Sequence, residues 1–300
     1  MSVIGFIGLG VMGAPMAHNV SRKYDVLVYD VNPERVDLTL ASGSAGEGSL
    51  MAAESVAAVG AAADIVLLSL PGSLVVREVI LGGDGLIAHM KPGTVVIDTS
   101  TTEPGVIQEA AERLASAGIE MLDAPVSGGE GGAIAASLSI MVGGQEATFE
   151  RCRDVLATMG STLVHVGPIG MGEVAKLINN LIVGATFAVV AEGFALGVQS
   201  GLDPVVLYAA IRNGWAQSKV LDVAADAMLQ QDYAPGGTVD IHWKDLNYAL
   251  SLARAQDVPT PMTAMTFEIF KAARAAGKGG FAQPAVVQLW EQLLGMEIKS

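Results

Sequence analysis

Val3-Ile4-Gly5-Phe6-Ile7-Gly8-Leu9-Gly10-Val11-Met12-Gly13 decides how this chain is read. Val3–Ile7 is short and apolar without polar alternation, which predicts a strand buried on both faces. The glycines follow at once and lead into a helix expected over Val11–Val20. In such a strand–turn–helix each glycine has its own task. Gly8 permits the tight turn, Gly10 lets the backbone approach a pyrophosphate at the helix N-terminus, and Gly13 lets the helix pack on the strand. Leu9, Val11 and Met12 complete the same phosphate-gripping loop. The spacing alone is a weak signal in a chain with 36 glycines; the strand before it and the helix after it give it weight. Asp30 ends a second apolar run, Val26–Tyr29, 22 residues after Gly8. Its carboxylate is placed to accept hydrogen bonds from adenosine ribose hydroxyls. The same acid would repel a 2′-phosphate, and the nearest arginine is Arg35 beyond Val31-Asn32-Pro33. NAD is therefore expected over NADP.

Working outward, the first half alternates. Apolar runs at Ile65–Leu68, Val95–Ile97 and Ile119–Leu122 are separated by helical segments near Pro33–Leu40, Leu50–Val59, Leu74–Ile80 and Pro104–Ala117. Ser139–Val142 and Thr162–Val164 flank a helix at Glu146–Met159 and finish the sheet. Unalternating strands interleaved with helices predict an α/β fold, a doubly wound and mostly parallel sheet with right-handed crossovers. After Gly167-Pro168 no strand is evident. A long apolar helix over about Gly172–Gln199, near 42 Å at 1.5 Å per residue, opens a series of helices. The expected domains are 1–166, dinucleotide-binding, and 167–300, all-helical. Gly184, Ala188, Ala191 and Ala195 punctuate the long helix and would let other backbones approach closely.

Composition excludes several classes. With 17 Lys and Arg against 31 Asp and Glu, the net charge is −14 and the pI about 4.6. Such a chain lacks the clustered cations that nucleic acid or an anionic membrane surface requires. Cys152 is the only cysteine, so no intrachain disulfide exists and a reducing compartment fits. His18, His89, His165 and His242 show no metal-ligand spacing. The opening Met1-Ser2-Val3 runs straight into a strand, and Leu181–Ala191 falls short of the ~20 residues of a bilayer span. A cytoplasmic protein without a membrane partner is expected. Charged residues are only 16% of the chain, which favours self-association.

Two segments carry candidate chemistry. Asp123-Ala124-Pro125-Val126-Ser127-Gly128-Gly129 follows a strand at its carboxyl end, where open α/β sheets place ligands. The Ser127 hydroxyl and the amides of Gly128 and Gly129 could hold a carboxylate; an ordinary glycine-rich loop is the bland alternative. Gly170–Asn180 places Lys176 inside an otherwise apolar helix, on one face with Asn180 four residues on. Burial would bring a lysine toward neutrality and suit it to general acid–base work. A lysine snorkelling from the rim of a core helix fits equally.

Gly8–Gly13, Asp123–Gly129, Gly170–Asn180 and Lys244-Asp245-Leu246, in this order and spacing, resemble the β-hydroxyacid dehydrogenases over essentially the whole chain. These include the 3-hydroxyisobutyrate dehydrogenases and, through Met121–Glu130, Met141–Gly144 and the Lys244 region, the tartronate semialdehyde reductases. The resemblance implies a catalytic Lys176, substrate binding by Ser127, Gly128, Gly129 and Asn180, and Lys244 near the nicotinamide. Leu70, Pro71 and Thr101 match positions lining the cofactor cleft. It also implies a homodimer or homotetramer and a small anionic hydroxy acid or semialdehyde as substrate. Trp215, in Arg212–Ser218, stands where the reductases carry smaller residues, and is expected to fill or stack within the substrate pocket. The substrate pair stays open: tartronate semialdehyde/glycerate, methylmalonate semialdehyde/3-hydroxyisobutyrate, succinate semialdehyde, sulfolactaldehyde or a threonate-type sugar acid. Rival readings are an oxidative decarboxylase like 6-phosphogluconate dehydrogenase, an imine reductase, and a catalytically silent scaffold. The first lacks its Lys-x-x-His-Asn pattern here and its phosphate-binding cations. The other two tend to lose the lysine or the glycines, which this chain keeps.

Overall fold

A computed structural model describes residues 3–43, 46–234 and 236–300; Met1 and Ser2, where the chain opens, lie outside them. The first compact unit runs to Lys176 and the second from Leu177. In the first unit the order is β1 (Ile4–Ile7), α1 (Gly13–Ser21), β2 (Val26–Tyr29), α2 (Pro33–Ala41), β3 (Leu50–Ala52), α3 (Val56–Ala62), β4 (Ile65–Leu68), α4 (Ser73–Leu81), β5 (Val95–Asp98), α5 (Pro104–Ser116), β6 (Glu120–Asp123), β7 (Val126–Ser127), α6 (Gly129–Ile134), β8 (Leu138–Gly143), α7 (Glu146–Leu156) and β9 (Gly160–Gly167). The strands form one sheet in the order β3-β2-β1-β4-β5-β6-β8-β7, with β9 on β8. Pairings from β3 through β6 are parallel, and β8 runs antiparallel to β6 and β7.

The apolar runs have a direct cause. Successive residues of a strand face opposite sides of the sheet. Ile65 and Leu67 join the apolar cluster that packs with α1 and α7, while Val66 and Leu68 join the one that packs with α3, α4 and α5. A strand covered on both faces tolerates no polar position, and each buried Val, Leu or Ile contributes about 1.5–3 kcal/mol.

Three expectations change in detail. The helix expected over Leu50–Val59 is in part a strand: Leu50–Ala52 pairs with Val26–Val28 of β2. The helix begins only after Ser55, whose hydroxyl accepts the Ala58 amide as an N-cap. Leu, Met and Ala favour helix intrinsically, and sheet pairing overrides so weak a preference. The helix expected from Val11 is regular only from Gly13. Ser127-Gly128-Gly129 is not a plain loop. Ser127 pairs with Ser139 on β8, Gly128 makes the turn, and Gly129 begins α6.

The remaining helices are α8 (Met171–Gln199), α9 (Pro204–Ile211), α10 (Lys219–Gln230), α11 (Val239–Ala255), α12 (Pro261–Ala275) and α13 (Gln288–Leu294). Beyond β9 the described residues add only an isolated bridge, Thr238 to Ala282. The 29 residues of α8 are long and apolar enough to cross a membrane by length and composition alone, which the shorter stretch 181–191 does not reveal. Phe187, Ala188, Ala191, Phe194 and Ala195 of this helix are buried, four of them in the core of the second unit. At Gly184 a Cβ would overlap the His242 ring of α11. Gly184 thus makes room for side chains of α11 and not for a neighbouring backbone.

Candidate active site

The glycine loop leaves β1 at the centre of the sheet, where the strand order reverses between β1 and β4. Gly8 has φ of 96°, and a Cβ there would overlap the Ser69 carbonyl oxygen. At Gly13 a Cβ would overlap the carbonyl oxygen of Gly8. Both glycines are demanded by the protein's own backbone. Gly10 is not: a Cβ on it would meet only Arg35 Nη1, at 3.8 Å. Its missing side chain keeps open space beside the first turn of α1, whose leading amides have no intrahelical acceptor. That cradle fits a dinucleotide pyrophosphate. Asp30 is buried at the end of β2. Its Oδ2 accepts the Leu9 amide at 2.7 Å, its Oδ1 accepts the Asn32 amide at 2.8 Å, and Arg35 Nη1 lies 3.7 Å from Oδ2. Asp30 therefore also braces the loop, a role its spacing does not reveal.

The other strand ends continue this edge. Leu70 and Pro71 follow β4, and Thr101 follows β5; the Leu70 amide donates to Ser100 Oγ at 2.8 Å, joining the two segments. At the end of β6 the buried Asp123 caps the helix that carries Lys176. Its Oδ1 accepts the Gly170 amide at 2.8 Å and its Oδ2 the Glu173 amide at 2.9 Å. A carboxylate there complements the positive end of the helix dipole. Gly172 lets this turn sit tight on the sheet, since a Cβ would stand 2.5 Å from the Met141 carbonyl oxygen. Lys176, half-buried, emerges one turn later. The capping contacts tie the first turn of α8 to the end of β6.

Sequence reasoning passed over two acids here. Asp98 and Glu173 are fully buried. Glu173 Oε2 accepts the Thr102 amide at 3.0 Å, and Thr102 Oγ1 lies 2.8 Å from Glu173 Oε1 and 3.3 Å from Asp98 Oδ2. Burial pushes Asp98 up to about 6, against hydrogen bonds from Ser100 and Thr102. Burial and then the charge of Asp98 raise Glu173 well above the usual carboxylate range. Burial also raises Asp123, against its backbone hydrogen bonds. Glu173 sits inside the quoted segment Gly170–Asn180, yet an acid three residues before a lysine reads as a surface pair.

In the second unit, Asn180 is held by α11. Its Nδ2 donates to Asp245 Oδ2 at 2.7 Å, and its Oδ1 accepts from Asn179 Nδ2 at 3.0 Å. Its carbonyl oxygen lies 2.9 Å from His242 Nε2, while Gln283 Nε2 donates to His242 Nδ1 at 2.9 Å. The Gln283 contact leaves the ring proton on Nε2, pointing at Asn180. Lys244 Nζ stands 3.2 Å from Asp245 Oδ1, near enough for charge attraction but not aligned as a hydrogen bond. Asp245 is thus the residue that orients Asn180; the motif Lys244-Asp245-Leu246 contains it but does not reveal that role. Trp215 lies between α9 and α10 and is 107% exposed. Within its own unit it fills no pocket. Among the described residues no cluster of His, Cys, Asp and Glu could hold a metal ion.

A mostly parallel sheet of this order with a glycine loop at the switch point and an acid ending β2 defines a nicotinamide-dinucleotide-dependent oxidoreductase. Residues 3–167 match the family described as the NAD binding domain of 6-phosphogluconate dehydrogenase. Residues 170–290 match the one described as NAD-binding of NADP-dependent 3-hydroxyisobutyrate dehydrogenase. The chain is 38% identical to the 2-(hydroxymethyl)glutarate dehydrogenase of Eubacterium barkeri, over 98% of this chain and 97% of that one. It is 35% identical to the 2-hydroxy-3-oxopropionate reductase of Escherichia coli, over 96% and 97%. A solved structure of the Mycobacterium tuberculosis 3-hydroxyisobutyrate dehydrogenase with L-serine is similar at a TM-score of 0.85 and 31% identity, covering 96% of this chain and 99% of that one. The chain belongs to the β-hydroxyacid dehydrogenase family.

Proposed function

We propose that the chain transfers a hydride between NAD(H) and a small 3-hydroxy carboxylic acid/semialdehyde pair, with Lys176 as the general acid–base. The observation that carries this reading is the anchoring of Lys176. It stands one turn into a helix that Asp123 caps at the strand-end edge where open α/β sheets bind ligands. When bound, the nicotinamide supplies or accepts the hydride. In reduction the Lys176 ammonium protonates the developing alkoxide; in oxidation the neutral amine takes the hydroxyl proton. The Ser127 hydroxyl and the amides of Gly128 and Gly129 hold the carboxylate. Asn180, with one N–H and one lone pair left over from its protein partners, steadies the reacting oxygen.

Tartronate semialdehyde/glycerate and methylmalonate semialdehyde/3-hydroxyisobutyrate are the leading substrate pairs. The relatives named for 2-(hydroxymethyl)glutarate and 2-hydroxy-3-oxopropionate share a carboxylate with the reacting carbon beta to it and differ in the substituent, which supports the common head group. Asp30, buried and bonded to Leu9, supports NAD over NADP. Ile178, Ile182, Val189 and Leu196 leave an apolar face of α8 exposed, which supports a homodimer or homotetramer.

General acid catalysis contributes about 10²–10⁴-fold. Lys176→Ala should therefore lose at least about a hundredfold in kcat while still binding NADH. Near-normal turnover in that variant removes Lys176 from the chemistry. A panel of the semialdehydes and hydroxy acids above, 2-(hydroxymethyl)glutarate included, read with NADH and NADPH, resolves substrate and cofactor. Silence across it favours the scaffold reading.

A further inference from the structure

We propose that Glu173, Thr102 and Asp98 form a proton-sharing chain in which Glu173 stands as the neutral acid, and that Glu173 is thereby the positioning residue holding the first turn of α8, and Lys176 with it, against the end of β5. One hydroxyl lies between two carboxyl groups. Thr102 Oγ1 lies 2.8 Å from Glu173 Oε1 and 3.3 Å from Asp98 Oδ2. A hydroxyl carries one proton and two lone pairs, so it can donate to only one of the two. If both acids were ionised, one close oxygen–oxygen contact would have no proton in it, inside a site with no solvent exposure. Such a contact is repulsive and expensive to bury.

The donors around each acid decide where the extra proton sits: beside the shared Thr102 hydroxyl, Asp98 is faced by both the amide and the hydroxyl of Ser100, Glu173 by the Thr102 amide alone. Glu173 Oε2 accepts the Thr102 amide at 3.0 Å, and Asp98 Oδ1 accepts the Ser100 amide at 3.0 Å. Asp98, with the extra donor, keeps the charge, so Glu173 Oε1 donates to Thr102 Oγ1 and Thr102 Oγ1 donates to Asp98 Oδ2. Burial and the charge of Asp98 also lift Glu173 well above the ordinary range. The groups facing the chain are acidic: Asp98 from β5 and Asp123 from β6; on its own helix, Lys176 follows three residues on. Losing the proton would place a second negative charge beside Asp98. It would push apart the segment after β5, tied to β4 through Ser100 and to α4 through Ser73 and Glu103, and the turn that leads to Lys176.

The chain is read without substrate. Infrared spectra of the wild-type protein at neutral pH should show the C=O stretch of a protonated, buried carboxyl group, absent from Glu173→Gln. No such band, or a band surviving in Glu173→Gln, overturns the proposal. Glutamine reproduces the neutral acid, its amide donating to Thr102 Oγ1 and its carbonyl accepting the Thr102 amide. Glu173→Ala should therefore lose at least about tenfold in kcat, and Glu173→Gln should recover most of it. A glutamine variant as damaged as the alanine one overturns the proposal as well. Asp98→Asn on its own lets Glu173 ionise. The double variant with Glu173→Gln faces the Thr102 hydroxyl with two N–H donors and no acceptor. Its unfolding constant should exceed the product of the single effects by at least about tenfold; additivity refutes the chain. The effect on kcat rests on the proposed role of Lys176, whereas the infrared band and the unfolding cycle do not, so either can fail alone.

Discussion

Gly10 and Gly13 lie three residues apart in one loop, and alanine should do opposite things at the two positions. At Gly13 the new methyl would overlap the carbonyl oxygen of Gly8, a backbone atom that cannot swing away. Overpacking of this kind costs about 1–3 kcal/mol. At about 2–4 °C per kcal/mol for a domain of this size, the unliganded melting temperature should fall by roughly 2–12 °C. At Gly10 the nearest protein atom to a Cβ is Arg35 Nη1, 3.8 Å away, and the backbone is outside the left-handed region. Gly10→Ala should leave unliganded stability unchanged or raise it by about 0.4–1 kcal/mol, because alanine restricts the unfolded chain. Its methyl instead occupies the approach of the pyrophosphate. The same 1–3 kcal/mol then appears as NADH affinity weakened about 5- to 150-fold. Thermal unfolding without cofactor, followed by fluorescence titration with NADH, separates the two effects. A Gly10→Ala protein that melts as early as Gly13→Ala, or binds NADH like the wild type, would refute the reasoning.

Asp98 rises from 3.8 to about 6 on folding, so the folded state binds its proton more tightly. Stability is fully present below the unfolded value and is lost as pH climbs through the folded one, by about 3 kcal/mol in all. Urea unfolding of Asp98→Asn across that window should lack this decline; parallel profiles would contradict it. Asp245→Ala leaves Asn180 Nδ2 without its 2.7 Å acceptor and should cost about 1–3 kcal/mol of stability, with kcat falling because Asn180 loses its orientation. Wild-type stability and rate in this variant would dismiss Asp245 as a bystander. Burial pushes the Cys152 thiol up to about 11, so it should ignore a thiol reagent in the native protein and react fully in urea; rapid native labelling would count against the packing around it.

Local order was legible in the sequence because local order has local causes. Unalternating apolar strands, Gly8-x-Gly10-x-x-Gly13 and Asp30 at its interval depend on neighbours within a turn or a strand, and they determined the sheet, the loop and the cofactor class. Leu50–Ala52 shows the limit: the residues prefer helix, and only the free edge of β2 makes them a strand. The candidate site divides the same way. Lys176 and Asn180 stand out because polar residues in an apolar helix are conspicuous. Asp98, Glu173 and Asp245 do not, since an isolated acid in a sequence reads as surface. Their meaning comes from partners 71 residues away for Glu173 and 65 for Asp245. Composition and spacing determined that this chain holds a nicotinamide dinucleotide. Only the tertiary structure decided which carboxyl groups leave water, and a carboxyl group out of water must find a partner or keep its proton.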